Sequence, residues 1–263
     1  MPKKLKPEHR IVNRIPSRNP ERDWRFEHAL ASGVLAAPAA LPATKDLREP
    51  WWSVGDQADT GACVGWATAD GVLRWHLVGA GGLGKKERLS PRFLWMAAKE
   101  TDAFTSEPTT FIESEGTSLK AALDIARKFG AVPDTALPAA SGKLYGGETT
   151  ALYALAARRK IASYFNLGRD QGQWRVWLAT HGPILIGLQV DKTWDGAKAL
   201  NPNLDKFDPA SVRGGHAAVL VGYTATRFIV RNSWGTSWGA QGFAYASKAY
   251  AQANFSEAYG ATL

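Results

Sequence analysis

Only one cysteine, Cys63, occurs in the 263 residues. An internal disulfide framework is therefore excluded, as is any zinc site built from several thiolates, so the fold must hold without covalent staples. A reducing compartment such as the cytoplasm is the simpler setting for such a chain. Long apolar runs are also missing, since none approaches the ~20 residues that cross a bilayer, and no membrane span is expected. Acids are fewer than bases, 24 against 32, but the imbalance is local. Residues 1 to 25 carry Lys3, Lys4, Lys6, Arg10, Arg14, Arg18, Arg22 and Arg25 against Glu8, Glu21 and Asp23, which is five of the eight net positive charges. The remainder is nearly balanced. It holds no arginine-rich helix of base-reading spacing and no aromatic RNA-binding box, so nucleic acid is not an expected partner.

What the chain does have is apolar mass: 45% hydrophobic residues, with eleven tryptophans and ten phenylalanines that only a packed interior or a wide groove can absorb. That is enough for one large domain or two small lobes, and it excludes disorder for most of the length. Residues 1 to 40 stand apart. Pro16, Pro20, Pro38 and Pro42 interrupt the chain here, which reads as a basic, Ala/Pro-rich arm, solvated and mobile, that needs no removal for activity. The uncharged stretch from Ala29 to Ala43 imitates a signal peptide cleaved near Ala39. Its long, acid-containing leader makes secretion the lesser reading.

From about Leu41 the pattern is that of a folded body. A proline-free stretch from Cys63 to about Leu77 predicts a helix whose Gly65, Ala67, Ala69 and Gly71 allow close packing, with its start near Gly61. Ser90-Pro91 reads as cap and first residue of a helix through about Ala98, and Thr117 as the cap of one stopped by Gly130. Further helices are predicted over 148–161 and 171–181. Past Pro183 the period shortens to strands at 184–190, 217–223 and 227–232 and around Phe243 and Tyr245. A helical lobe over about 41–165 followed by a mostly antiparallel sheet lobe over 166–263 is an α+β architecture with a cleft between lobes.

Two motif matches fail on context. Gly79 to Gly84 fits G-x-G-x-x-G but follows a helix, so it reads as a loop and not as a dinucleotide site. Gly235 to Gly239 fits a serine nucleophile elbow, but neither Asp nor His follows Gly239. Cys63 differs. A lone cysteine is commonly a small buried hydrophobe, yet this one sits at a helix N-terminus, where the thiolate is favoured.

The residues around it resemble those of the papain-like cysteine peptidases from Leu41 onward. Asp56-Gln57-Ala58-Asp59-Thr60-Gly61-Ala62-Cys63 is similar to the family's cysteine segment. Gly214-Gly215-His216-Ala217-Ala218-Val219 with Val221-Gly222-Tyr223 resembles its histidine strand. Arg231-Asn232-Ser233-Trp234-Gly235, with Trp238-Gly239 and Gly242-Phe243, resembles its asparagine signature, and Asp46-Leu47-Arg48, Leu89-Ser90-Pro91 and Gly182-Pro183 are lesser echoes. Three ordered blocks make chance agreement remote.

The resemblance implies a two-lobed papain-like fold and a cysteine-type endopeptidase acting on peptides or proteins, with no metal or organic cofactor. Cys63 would be the nucleophile, His216 its proton partner, Asn232 the residue orienting that ring, and Gln57 with the Cys63 N–H the oxyanion hole. Trp234 would shield the His–Asn bond, Ala217 would line a specificity pocket suited to an apolar side chain, and Gly116 is what remains of a glycine wall of the cleft. His9, His28, His76 and His181 read as surface or capping residues. Thr60 stands where many members have a disulfide cysteine, in keeping with a cytosolic or prokaryotic variant. Val64 replaces an aromatic, and Gly215, not an acid, precedes His216. A monomer is expected. Two alternatives stay open: a thiol acyltransferase or amidase using the same triad, and an inactive binding module, the latter disfavoured because all four site residues are present.

Overall fold

The computed structural model describes residues 5–36, 38, 40–101, 115–141 and 145–263. Lys3, Lys4 and the candidate cleavage position Ala39 lie outside them. The first helix, α1, is Phe26–Ala31, and a short strand β1, Lys45–Asp46, follows. The predicted helix at Cys63 is one continuous coil of α2 (Cys63–Trp66), a π-helical stretch (Ala67–Leu73) and α3 (Arg74–Gly79). Its glycines allow contact that a methyl would prevent: a Cβ on Gly65 would meet the Pro91 carbonyl and Trp95, and one on Gly71 would meet Val219. So the helix lies hard against both α4 (Pro91–Thr101) and the sheet.

Ser90 Oγ accepts from the Phe93 N–H at 3.0 Å, as the Ser-Pro start of α4 predicts. The cap of α5 (Leu119–Lys128) is Ser118 and not Thr117: the Ser118 hydroxyl accepts from Ala121, while the Thr117 carbonyl is turned outward to Ile15. The helix expected over 148–161, α6, is shorter at Thr149–Ala156, and α7 is Gln171–Thr180, capped by Asp170.

The sheet lobe is built on β3 (Ile184–Val190), β5 (Gly214–Tyr223), β6 (Arg227–Arg231) and β7 (Phe243–Ser247). With β2 (Ser163–Asn166), β4 (Asn203–Leu204) and β8 (Glu257–Thr262), the order is β2-β8-β3-β5-β6-β7-β4, and β1 joins at β5. All pairs are antiparallel except β4 with β7. Helices α8 (Lys192–Asp195) and α9 (Lys248–Asn254) complete it. Near-continuous Val, Ile, Leu and Ala in β3 and β5 reflect burial on both faces.

Two devices join helix and sheet beside the cleft. Asp70, buried in the π-helical stretch, accepts from Arg74 at 3.0 Å, Arg88 at 3.1 Å and Arg231 at the end of β6. The segment before Cys63 runs along the loop after β6, with Gln57 N–H to Ser233 O at 2.8 Å and Gly235 N–H to Gly55 O at 2.9 Å.

Residues 5–36 are not a solvated tail. Phe26 is fully buried, edge-on to Trp177 at 5.2 Å between centroids, and the Asn166 N–H donates to the Trp24 carbonyl at 2.8 Å. Arg10 and Arg14, counted among the free positive charges of the arm, are buried. The sequence reading missed this because each of these residues is isolated among polar and proline neighbours, and periodicity sees only runs.

Candidate active site

Cys63 opens its helix with Ala62 as cap, so its own N–H and that of Val64 are in the unpaired first turn beside the sulfur. The side chain has no exposure, and burial pushes the thiol up to about 11, outweighing the Ala217 N–H, the Arg14 charge and the N–H groups of Val64 and Cys63, all of which favour a thiolate. His216, in β5, is equally buried. Its Nε2 lies 2.8 Å from Asn232 Oδ1. That oxygen also accepts from the Ser233 N–H at 2.8 Å, which identifies it as the carbonyl end of the amide. Nε2 therefore carries the proton, and Nδ1 presents a lone pair with no partner among the described residues. Burial, added to the charges of Arg213, Arg14 and Arg10, brings the imidazole down to about 4. Burial thus disfavours the charged form of both groups.

The Trp234 ring lies 5.1 Å from the His216 ring, centroid to centroid and tilted. Trp194, from α8, adds an edge-on contact at 5.6 Å. No local pattern marks Trp194, since it reaches the ring only through the turn after β3. Gln57 Nε2 donates to Thr60 O at 2.9 Å and to Ile11 O at 3.3 Å, and its Oε1 accepts from Ser233 Oγ at 2.8 Å. Gly116 lies against the Asn13 backbone, where a Cβ would collide with the Asn13 carbonyl. Cys63 reaches β5 at the Ala217 N–H, Gln57 is joined to Ser233 beside Asn232, Asn232 and Trp234 contact His216, and Gly116 faces Asn13 of the arm; among the described residues no hydrogen bond joins Cys63 to His216. His76 and His181 do not join them: His181 is the C-cap of α7, as its place at a helix end suggested, and His76 is half-buried beside Trp75 and not on the surface; burial lowers both, His76 to about 4.

The cleft is occupied by the chain's own arm. Arg213 donates to Pro7 O at 2.7 Å and Arg10 O at 2.6 Å. Arg10 pairs with Asp56 and reaches Ala58 O at 3.0 Å. Ile11 O sits on the Gln57 amide. The Arg14 N–H donates to Gly215 O at 2.9 Å and the Ile15 N–H to Thr117 O at 3.2 Å, so one strand of arm touches both lobes. Arg14 pairs with Glu257 of β8, and Lys120 holds Arg18 O at 3.2 Å. An open cavity of about 680 Å³ is lined by Gln57 and Ala62, and neither Cys63 nor His216 is in its lining. Among the described residues no His, Cys, Asp and Glu gather into a metal-binding group.

A thiol at a helix N-terminus, an imidazole tied to an amide and a second amide facing the same cleft are the parts of a cysteine-dependent hydrolase. The model of the papain family of cysteine proteases matches residues 41–260, and the chain belongs to that family. Among curated proteins, cysteine proteinase B of Leishmania mexicana is 29% identical over 111 residues, which is 40% of this chain and 24% of that protein. The chain therefore matches about a quarter of that relative's length. Among solved structures, xylellain, a cysteine protease from Xylella fastidiosa, superposes with a TM-score of 0.79 at 21% identity, covering 100% of this chain and 98% of that one. Procathepsin L2 of Tenebrio molitor larval midgut gives 0.69 at 19%, covering 100% and 81%. Procathepsin B S9 of Trypanosoma congolense gives 0.68 at 16%, covering 97% and 87%. These likenesses speak for the fold. The arm, covered by the two full-length superpositions, lies outside the family match.

Proposed function

We propose that this chain is a cysteine endopeptidase held latent by residues 5–19, with residues 41–165 and 166–263 as its two lobes. The observation that carries this is a peptide segment, the arm itself, bonded through its backbone to Gln57, Thr117 and Gly215, the last of them the neighbour of His216. A cleft that binds extended main chain at its thiol is built for peptides. The expectation that the arm is a dispensable tether gives way to this reading.

With the arm displaced, water and substrate reach the pair. The Cys63 proton passes to His216 Nδ1, and the sulfur attacks the peptide carbonyl. Gln57 Nε2 and the Cys63 N–H stabilise the oxyanion. Collapse breaks the C–N bond, and His216 gives its proton to the leaving amine. Water, deprotonated by the same ring, then hydrolyses the thioester and restores the thiol. Asn232 keeps Nε2–H oriented throughout, and Trp234 excludes water that would compete for that bond. Ala217 and Gly116 flank the bound main chain. No step calls for a cofactor, a monomer suffices, and the lone free thiol suits a reducing compartment. No helix among the described residues is long and apolar enough to cross a membrane.

The test is to incubate the chain, and its Arg14→Ala form, with a diverse peptide mixture and map cut sites by mass spectrometry, with Cys63→Ala as control. Cuts that depend on Cys63 and increase in the Arg14→Ala form support the reading. A chain with an accessible, alkylatable Cys63 that cuts nothing refutes it.

A further inference from the structure

Past the cleft, the arm meets the body a second time, along α5 and β2. An open basin of about 350 Å³ lies at this seam. Arg22, Asp23 and Trp24 form its arm wall, while Lys120, Asp124, Arg127 and Lys128 of α5 face them from the body and β2 closes one side. Four cations therefore share the basin with two carboxylates.

Both carboxylates are already taken. Asp23, whose side chain is 2% exposed, pairs with Lys120 through Oδ1 and accepts from the Tyr259 hydroxyl at 2.7 Å through Oδ2. Asp124 accepts from the Tyr164 hydroxyl at 3.0 Å, and Arg127 stands 3.6 Å from the same oxygen. Lys120 is taken as well, because its three ammonium protons serve Asp23, Arg18 O at 3.2 Å and Asn19 O at 3.5 Å. Arg22 on the arm and Lys128 on the body are exposed and have no carboxylate partner among the described residues. Arg127, 42% exposed, keeps donors of its fork for a further partner. The charge left over is positive on both walls of one concavity, which concentrates anions there.

We propose that this basin binds a small soluble polyanion carrying two or more phosphoryl-type groups, and that the bound anion holds residues 17–24 of the arm to the body. The volume is that of a small-molecule site. The forks of Arg22 and Arg127 match the oxygens of such groups, and Lys128 adds a point charge. Two groups are called for because the available cations stand on two walls. The direction of the effect follows from which donors remain. An anion that needed Lys120 would compete with Arg18 O and Asn19 O and loosen the arm, whereas one held by Arg22, Arg127 and Lys128 adds a bridge and leaves that knot intact. A ligand whose site exists only while the walls are together stabilises their contact by linkage. The basin shares no residue with the cleft.

Inorganic pyrophosphate is the probe, titrated by calorimetry into the full chain at constant ionic strength. Two body amides report the arm: the Lys120 N–H donates to Ser17 Oγ at 3.2 Å and the Asn166 N–H to Trp24 O at 2.8 Å. Their hydrogen exchange should slow at least about tenfold at roughly one hundred times Kd, where linkage sets a ceiling of about a hundredfold. Arg22→Glu and Lys128→Glu, both at exposed positions, should each weaken binding at least about tenfold, the scale of a lost charged hydrogen bond. Lys86→Glu makes the same change of charge outside the basin and should leave binding as it is. No saturable binding, equal losses in all three variants, or binding that leaves both amides exchanging as before overturns the inference. Capture by vesicles bearing phosphatidylinositol phosphates without pyrophosphate binding overturns it too, assigning the cations to a lipid surface. Neither readout involves the thiol or turnover, so failure here leaves the peptidase reading standing.

Discussion

Arg14→Ala should wake the thiol. In the closed chain the Arg14 side chain is 2% exposed and that of Glu257 12%, so truncation leaves a carboxylate in the wall with only the Ser17 N–H to meet it. Removing one partner of a buried pair costs roughly 3–5 kcal/mol. The cost falls on the closed state alone, because an open cleft hydrates Glu257. At ~1.4 kcal/mol per factor of ten, the open fraction should rise roughly a hundred- to a few thousand-fold. Arg10→Ala provides the internal comparison. Its partner Asp56 is 49% exposed, so water replaces much of what is lost and the effect should be ~1 kcal/mol or less. Iodoacetamide alkylation followed by intact mass reads both. Cys63 reacts only when the arm opens, since it has no exposure and its thiol stands at about 11. The observed rate is then the open fraction multiplied by the open-state rate. A rate in Arg14→Ala within about threefold of the parent, or equal effects from the two arginines, would refute the claim that the Arg14 pocket is the latch.

Acid should favour opening: His216 stands at about 4 when covered and returns toward ~6.5 when hydrated, so the open state binds the proton. Closed-state stability is then full above ~6.5 and lost as pH falls toward about 4, while Arg213, Arg14 and Arg10, the charges that face the ring, stay positive throughout. Hydrogen exchange at the Arg14 and Ile15 amides, corrected for intrinsic rate, should show protection falling over that window; constant or rising protection would contradict it. In an arm-opened chain, Gln57→Ala should lower kcat by roughly ten- to a thousand-fold with little change in KM, and an effect on KM alone would move Gln57 from the oxyanion to substrate binding. Cys63→Ala and His216→Ala should abolish turnover while Asn232→Ala, which orients without transferring a proton, costs less; equal losses in steady-state assays would break the triad assignment. Deleting residues 1–19 should free the cleft while leaving α1 docked, whereas deleting 1–40 also strips Phe26 from its contact with Trp177 and should lower stability by roughly 2–3 kcal/mol, read as a drop in Tm. Equal Tm values for the two deletions would mean that α1 does not support the body.

The site was legible where chemistry is concentrated in short blocks. Gln57, Cys63, His216 and Asn232 each sit among neighbours that mark them, and β3 could be bounded at 184–190 because Ile, Leu and Val dominate it between Pro183 and Asp191. β8 escaped notice because Glu-Ala-Tyr-Gly-Ala-Thr is poor in β-branched residues; it is a strand because β2 and β3 flank it on both sides. The arm was illegible for a different reason. Arg14 and Glu257 are 243 positions apart, and nothing local to either distinguishes a solvated charge from half of a buried pair. Thr117 and Ser118 are adjacent cap residues of like chemistry, and the choice between them was made by Ile15, a residue of the arm that takes the Thr117 carbonyl.

The row Ala217, Gly187, Glu257, paired across β5, β3 and β8, is completed by Arg14, a residue from the far end of the chain. Arg14 and Glu257 are 243 positions apart, so the restraint of the arm is written into two distant stretches of sequence at once. A change at 187 or 257 would loosen the arm in the same step, and descendants could keep it closed only by changing residue 14 in concert. Relatives that carry a different residue at either position should therefore carry a matching one in the arm, a covariation between the two ends of the chain imposed by the fit of one side chain to one slot.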